Sequence, residues 1–252
     1  NVLVIGQGGR EHALVHYLKK SSLVSAVHAV PGSDGIATEA IVHSIDVSQH
    51  ECVLNLVEKN KIDLVVIGPE NPLVEGLADS LRARGVLVFG PGRAAAQLEG
   101  SKIFCKQFLI DAGCPTARSF TVSSVEETLA AAKNFSPPYV LKADGLAAGK
   151  GVFICKTLSQ LQADAHALFV ERTLGEAGRR ALLEEFQPGY EISYLILTNG
   201  EHFQPLVLAQ DHKRLLDGDE GPNTGGMGTV APVKIADDLD TKIREEICQK
   251  VM

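Results

Sequence analysis

Short apolar runs alternate with amphipathic stretches along the first hundred residues of this chain, and few folds satisfy such an alternation. The apolar runs predict strands, which are VLVIG (2–6), AVHAV (26–30), DLVVIG (63–68) and VLVFG (86–90). The amphipathic stretches predict helices over residues 10–20, 50–60 and 73–85. Because the strands are apolar along their whole length, we expect a parallel sheet that helices cover on both faces.

The pattern changes between residues 93 and 120, which we take as the boundary after a first, Rossmann-like domain. Residues 97–116 predict one helix that ends near Gly113, before Pro115, and residues 122–135 predict another. Farther on, two apolar runs flank Asn199-Gly200, a dipeptide typical of β-hairpin turns. The sequence therefore predicts an α/β chain in which a parallel-sheet domain precedes an α+β part with antiparallel strands.

Charge and cysteine content exclude several classes of function. The net charge is −7, so a general nucleic-acid or membrane-surface role is disfavoured, and an anionic ligand must be met by local positive groups. No apolar run approaches the length that spans a membrane. The five cysteines form no CxxC pair, which argues against a zinc site.

The segment KADGLAAGKGV (142–152) has the composition of a phosphate-binding loop but not the spacing of a P-loop. A P-loop has four residues between its first glycine and the Gly-Lys pair, whereas three lie between Gly145 and Gly149. Strand-like runs also flank the loop on both sides, while a P-loop leads from a strand into a helix. We therefore predict that the loop lies at the tip of a β-hairpin.

Two groups of residues are candidates for anion binding. Gly8 and Gly9 follow the first strand and allow backbone N–H groups to point at an anion, and Arg10 adds a charged donor. A tight turn without a ligand explains this stretch equally well, and Glu11 stands where a dinucleotide fingerprint requires glycine. Lys142 ends an apolar strand, where an inward side chain would reach a cleft, and Lys102 begins a helix just after the domain boundary. Two ammonium groups that converge on one polyphosphate would offset much of its charge, whereas a solvated surface residue is the alternative for a single lysine.

Two later segments combine carboxylates with turns or glycines. Residues 182–191 place Glu184, Glu185 and Phe186 at a strand end, where they can meet an adenine edge, and Glu191 can accept from ribose hydroxyls. Acidic residues on an exposed edge strand are the alternative explanation. The segment 209–232 runs from a charged group into GPNTGGMG, which is so rich in glycine that we expect it to lie outside regular structure.

The ordered set of motifs resembles the glycinamide ribonucleotide synthetase family of the ATP-grasp superfamily, along nearly the whole chain. The motifs that carry the resemblance are VIGQGGREHAL, GPENPLV, FGP, AAAQLEGSK, KADGLAAGKGV, EEF, QDHKR and GPNTGGMG. The last two are the most specific to this family. The resemblance implies a parallel-sheet substrate domain (1–100), an ATP-grasp small domain with a glycine-rich lid (101–188) and the start of the ATP-grasp large domain (189–252).

The resemblance also implies an activity, a location and roles for particular residues. The implied reaction is the ATP-dependent ligation of glycine to 5-phosphoribosylamine through glycyl phosphate, in cytoplasmic purine biosynthesis. Catalytic roles fall on Lys142 and Asp211. The implied ATP-binding residues are Lys102, Lys142, Gly149, Lys150, Gly151, Glu184, Glu185, Phe186 and Glu191. The implied substrate-binding residues are Gly8, Gly9, Arg10, Asp211, Thr224, Gly225, Gly226 and Met227.

The family has one feature without a counterpart in these residues, namely the acidic strand that binds Mg²⁺ and the Arg-Phe-Gly-Asp-Pro-Glu motif beyond it. We therefore expect a truncated chain whose Mg²⁺ ligands lie beyond residue 252, and expect these residues alone not to catalyse the ligation. Two alternatives remain open at this point, another ATP-grasp carboxylate–amine ligase and a non-catalytic nucleotide-binding module.

Overall fold

The computed structural model describes residues 1–147, 151–218 and 220–252. The chain forms two compact units, residues 1–100 and residues 101–252. The division of the second part at residue 188 stays a prediction.

The first unit contains a five-stranded parallel sheet, which confirms the predicted fold class of its domain. Its strands are β1 (Val2–Gly6), β2 (Val27–Pro31), β3 (Ile41–Val42), β4 (Leu64–Ile67) and β5 (Leu87–Phe89), in the order β3-β2-β1-β4-β5. Side chains alternate between the faces of a strand, so Leu3 and Ile5 lie in one apolar cluster and Val2 and Val4 in another. Burial on both faces explains the continuous apolar runs.

Helices of the first unit connect these strands, and one of them differs from the prediction. They are α1 (Gly9–Lys19), α2 (Asp34–Ala37), α3 (His50–Lys59), α4 (Glu70–Glu75), α5 (Leu77–Ala83) and α6 (Arg93–Gly100). The single helix predicted over 73–85 is wrong, because α4 ends and α5 begins at Gly76. Gly76 has φ +94°, a left-handed conformation that glycine adopts without steric cost.

The second unit opens with α7 (Lys102–Asp111), and here too a predicted helix proves to be divided. The continuous helix predicted over 97–116 is wrong, since the backbone becomes extended at Ser101 (φ −142°, ψ 118°). The Ser101 hydroxyl accepts a hydrogen bond from the Phe104 N–H, so it caps a new helix. This break places Lys102 in the first turn of α7.

A four-stranded antiparallel sheet follows, in the order β6-β9-β7-β8. Its strands are β6 (Ser119–Val122), β7 (Tyr139–Ala143), β8 (Val152–Cys155) and β9 (Ala181–Glu185), with helices α8 (Val125–Ala132) and α9 (Leu158–Phe169) and a 3-10 turn at Gly175–Gly178. The hairpin of β7 and β8 confirms the prediction for the glycine-rich loop. Leu141 and Leu183 are fully buried in one apolar cluster with residues of α8 and α9. Alternation along the strands then turns Lys142 and Glu184 to the opposite face.

The last part of the unit contains two hairpins and a helical segment. The elements are β10 (Ile196–Thr198), β11 (Phe203–Pro205), β12 (Gln210–Leu216), β13 (Glu220–Val230), α10 (Asp237–Ile243), a π-helical turn (Arg244–Cys248) and α11 (Gln249–Val251). The turn predicted at Asn199-Gly200 is confirmed. The expectation that GPNTGGMG lies outside regular structure is wrong, because β13 includes it. Pairing with β12 uses backbone groups, and register shifts near Arg214 accommodate the irregular strand.

Candidate functional site

The base of the β7–β8 loop is closed by close backbone packing. The Ala143 N–H donates to the Gly151 carbonyl oxygen at 2.8 Å. A Cβ atom at Gly145 would lie 2.9 Å from the Ala177 Cα, and one at Gly151 would lie 3.0 Å from the Ala147 Cβ. These two glycines therefore have a packing role. Two further residues of the predicted lid, Gly149 and Lys150, lie outside the described residues.

Lys102 is held at the base of the same loop. Its backbone N–H donates to the Asp144 carbonyl oxygen at 3.1 Å, and its Nζ donates to the Gly145 carbonyl oxygen at 3.3 Å. The Asp144 carboxylate accepts from the Ile103 N–H at 2.9 Å and the Ser101 hydroxyl at 2.7 Å. Asp144 thus joins the start of α7 to the end of β7, where Lys142 lies.

A largely buried cluster of three charges lies on the face of β7 and β9 that is opposite the apolar cluster of Leu141 and Leu183. The Glu184 carboxylate is 2.6 Å from the Lys142 Nζ through Oε2 and 3.0 Å from the Lys106 Nζ through Oε1. Glu184 is 5% exposed and Lys106 is 8% exposed, whereas the Lys142 side chain is 32% exposed. Of the two ammonium groups, that of Lys142 is therefore the one within reach of a ligand.

Lys106 is the residue of this cluster that the sequence analysis missed. Its Nζ also donates to the Thr116 hydroxyl at 2.7 Å and to the Ala117 carbonyl oxygen at 2.9 Å. A signal was present, because Lys106 lies among apolar residues of α7 and one turn beyond Lys102.

The end of β9 carries the residues that were predicted to meet adenine. The Glu185 carboxylate accepts from the Arg118 backbone N–H at 2.9 Å and from its Nε at 2.7 Å, and these hydrogen bonds lower the pKa of Glu185. Phe186 is 40% exposed, and a cavity of about 500 Å³ lies beside it and Phe135. Glu191 is exposed, with the Lys213 Nζ at 3.7 Å. The partly exposed Phe186 ring at this strand end is therefore accessible to a planar ligand.

The β12–β13 hairpin brings together the residues predicted to face the amino-acid or sugar substrate. The Asp211 carboxylate lies 3.6 Å from the Lys213 Nζ. The Thr224 hydroxyl donates to the Lys213 carbonyl oxygen at 2.9 Å and accepts from the Gly226 N–H at 3.1 Å. Gly225 is exposed, as is Met227. The Thr224 hydroxyl therefore stabilises the hairpin itself, while its neighbours present an open surface.

The first unit has a separate cavity of about 470 Å³ at the carboxyl ends of β1 and β4. The strand order reverses between these two strands, and such a point is a common ligand site in parallel sheets. Gly8 and Glu11 both line the cavity.

The Glu11 carboxylate accepts hydrogen bonds from two of the groups that were predicted to bind an anion at the start of α1. The Gly8 N–H donates to the Glu11 Oε2 at 2.8 Å, and the Arg10 Nε donates to the Glu11 Oε1 at 2.9 Å. The bond to Glu11 raises the pKa of Arg10. The Arg10 Nη1 donates to the Glu70 Oε1 at 3.3 Å.

Two features are absent from the described residues, a metal-ligand cluster and a membrane-spanning helix. No group of three or more His, Cys, Asp or Glu side chains in the described ranges is placed to hold a metal ion. Likewise, no helix formed by those residues is both long and apolar enough to cross a membrane.

Comparison with solved structures defines the class of fold. The N5-carboxyaminoimidazole synthetase of Staphylococcus aureus, solved with ADP, matches 99% of this chain and 62% of its own with a TM-score of 0.70 and 17% identity, which shows a shared fold. The phosphoribosylamine–glycine ligase of Thermotoga maritima matches 99% of this chain and 60% of its own with a TM-score of 0.84 and 35% identity. The fold is that of proteins with an ATP-grasp domain.

Matches to models of protein families identify the family of this chain. Residues 1–99 match the phosphoribosylglycinamide synthetase N domain, and residues 100–252 match the phosphoribosylglycinamide synthetase ATP-grasp (A) domain. The chain belongs to the phosphoribosylglycinamide synthetase family, which confirms the resemblance found in its motifs.

Curated relatives agree with this membership. The phosphoribosylamine–glycine ligase of Escherichia coli (strain K12) is 45% identical over 249 residues, which cover 98% of this chain and 58% of that protein. The protein of the same name from Streptomyces coelicolor is 46% identical over 251 residues, which cover 100% of this chain and 57% of that protein. The chain thus spans less than two thirds of the length of these relatives.

Proposed function

We propose that the protein ligates glycine to 5-phosphoribosylamine with ATP, giving glycinamide ribonucleotide for purine biosynthesis in the cytoplasm. Membership of the family and the names of the relatives support this reaction. The observation that carries it is structural: Lys102 and Lys142 lie at one end of the hairpin whose glycine-rich loop has the phosphate-binding composition.

The proposed chemistry proceeds in two steps. Transfer of the γ-phosphoryl group of ATP to the glycine carboxylate gives glycyl phosphate and ADP. The amine of phosphoribosylamine then attacks the glycyl carbonyl, and inorganic phosphate leaves. Positioning of the substrates and neutralisation of phosphate charge supply most of the catalysis in reactions of this kind.

The nucleotide roles are assigned to the second unit. Lys102 and Lys142 bind phosphate oxygens, and the 149–151 segment covers them and keeps water from the acyl phosphate. The end of β9, from Glu184 to Phe186, holds adenine, and Glu191 accepts from the ribose hydroxyls. The support is that the described members of this set other than Glu191 lie on or next to β7, β9 and α7, and that Glu191 belongs to the same unit.

The substrate roles are divided between the two units. Gly8, Gly9 and Arg10 are assigned to phosphoribosylamine, because they follow β1 beside the cavity of the first unit. Asp211 and the 224–227 segment are assigned to glycine or the sugar, since they share one open hairpin. Within the described ranges no three His, Cys, Asp or Glu side chains are placed together to hold a metal ion, so no residue is assigned to Mg²⁺, and the roles proposed here rest on side-chain cations and backbone donors.

A phosphate-release assay tests the proposed function. With ATP, Mg²⁺ and the full-length protein, we expect release to require both glycine and phosphoribosylamine, and to fall at least about 100-fold in Lys142→Met, because removing one group that stabilises transition-state charge commonly has this effect. The control is Lys156→Met, which removes an exposed ammonium just beyond β8. Release with bicarbonate in place of glycine would indicate a different ATP-grasp ligase. ATP binding without release in any mixture would indicate a non-catalytic module.

A further inference from the structure

Lys106 has no role in the proposed reaction, yet it is one of the few charged side chains that the fold buries. It lies on α7 with Lys102, but it faces the sheet and reaches Glu184 on β9. Burial of an ammonium group is unfavourable unless the group is paired and hydrogen-bonded. Lys106 meets both conditions, because its Nζ is paired with Glu184 and hydrogen-bonded to Thr116 and Ala117.

The Lys106 ammonium cannot itself serve a ligand. An ammonium group has three N–H donors, and three acceptors surround this one: the Glu184 carboxylate at 3.0 Å, the Thr116 hydroxyl at 2.7 Å and the Ala117 carbonyl oxygen at 2.9 Å. All three donors are therefore in use. Any effect of Lys106 on a ligand therefore passes through Glu184.

The neighbouring ammonium of Lys142 is in the opposite situation. Within the described part of the chain, Glu184 is the one partner of the Lys142 Nζ, at 2.6 Å. Two of its three donors are thus left for a ligand, and its side chain is partly exposed. Lys142 can contact an anion while it keeps its bond to Glu184.

The charge count of the cluster explains why Lys106 matters for such an anion. A carboxylate paired with one ammonium has no net charge, so Glu184 and Lys142 alone would attract a phosphate weakly. With Lys106 bound to the other carboxylate oxygen, the cluster of three carries a net charge of +1. The excess positive charge lies where the cluster is exposed, at Lys142, and low local dielectric increases its effect on a bound anion.

We propose that Lys106 is a positioning residue that balances the charge of Glu184, so that Lys142 presents an uncompensated positive charge to the nucleotide phosphates. The inference rests on the proposed function, in which Lys142 binds ATP. It concerns the phosphates of the nucleotide and not the adenosine moiety, and this difference makes it testable.

The test compares the binding of ATP and of adenosine to the purified protein by ligand-observed NMR titration. We expect Lys106→Met to weaken ATP binding about tenfold or more, because a unit charge is lost near the phosphates. Adenosine binding should change less than about twofold, since adenosine carries no charge. Lys106→Arg, which keeps the positive charge and supplies N–H donors for Glu184, should bind ATP within about threefold of the wild type.

A double variant separates charge balance from damage to the fold. Lys106→Met/Glu184→Gln removes one positive and one negative charge, which leaves the cluster at +1 again. We expect this variant to recover most of the lost ATP affinity. If Lys106 were only structural, the second substitution would weaken binding further.

Three results would overturn the inference. Equal losses for ATP and adenosine in Lys106→Met would show a structural role, and unchanged ATP binding would show no role. Failure of the double variant to recover would contradict the charge count. If the wild type binds ATP in any of these cases, the proposed function stands, whereas a wild type that binds no ATP refutes both.

Discussion

Glu184→Gln is expected to destabilise the second unit by about 3–5 kcal/mol, because removing one partner of a buried ion pair leaves charge without compensation. The carboxylate is 5% exposed and is shared by two ammonium groups. The neutral amide can accept from one of them, but its NH₂ group must then face the other. Urea denaturation measures the free energy of unfolding, and hydrogen exchange in β7 and β9 shows where stability is lost.

The matched control is the next residue along β9. Glu185 also forms an ion pair, with Arg118, but the Arg118 side chain is 71% exposed. Glu185→Gln should therefore destabilise the unit much less than Glu184→Gln. A loss at Glu185 as large as that at Glu184, or a Glu184 variant as stable as the wild type, would contradict the account of the buried cluster.

Gly6→Ala is expected to destabilise the first unit by about 3 kcal/mol, from backbone strain and overpacking together. Gly6 has φ +132°, where residues with a Cβ are strained. A Cβ there would also lie 2.4 Å from the Glu11 Cγ. Glu11 cannot move freely, because it is 4% exposed and is held by the Gly8 N–H. Loss of protection from hydrogen exchange in β1 and β4 measures the effect.

Two other glycines supply the comparisons for this prediction. A Cβ at Gly9 meets nothing within 4 Å, so Gly9→Ala should be neutral or slightly stabilising at the start of α1. A Cβ at Gly68 would lie 2.3 Å from the Glu11 Oε1, yet the backbone of Gly68 is not in the left-handed region. Gly68→Ala therefore measures the destabilisation that the clash with Glu11 causes without backbone strain. Similar stabilities for all three variants would show that Glu11 is not packed as described.

The first sheet was predictable from sequence because its signal is local. Strands such as Val2–Gly6 are buried on both faces, so each is a continuous apolar run, and the helices between them carry their own periodicity. The breaks at Gly76 and Ser101 were not predictable in this way. A helix tolerates glycine or serine, and the apolar period continues through both positions. Backbone conformation and capping decide that the helices end there.

The glycine-rich strand was missed for a different reason. Strand prediction relies on side chains that favour a pleated surface, and GPNTGGMG has few of these. Its place in β13 depends on backbone pairing with β12, which side-chain propensity does not predict.

The candidate site was predictable only in part. Lys142 was found because it ends an apolar strand, and its position beside the loop follows from the hairpin. Lys106 was missed because the partner that buries it, Glu184, is distant in sequence and adjacent only in the fold. The same holds for Glu11: sequence showed that it is not the glycine of a dinucleotide site, but not that its carboxylate takes the Gly8 N–H.

The central claim is that Lys102 and Lys142 together hold the phosphates of ATP at the base of the glycine-rich loop. A crystal structure with a non-hydrolysable ATP analogue tests this most directly. The account predicts both ammonium nitrogens within about 3 Å of phosphate oxygens, the distance of a charge-assisted hydrogen bond. A triphosphate bound elsewhere, or one that either ammonium group does not reach, would contradict it.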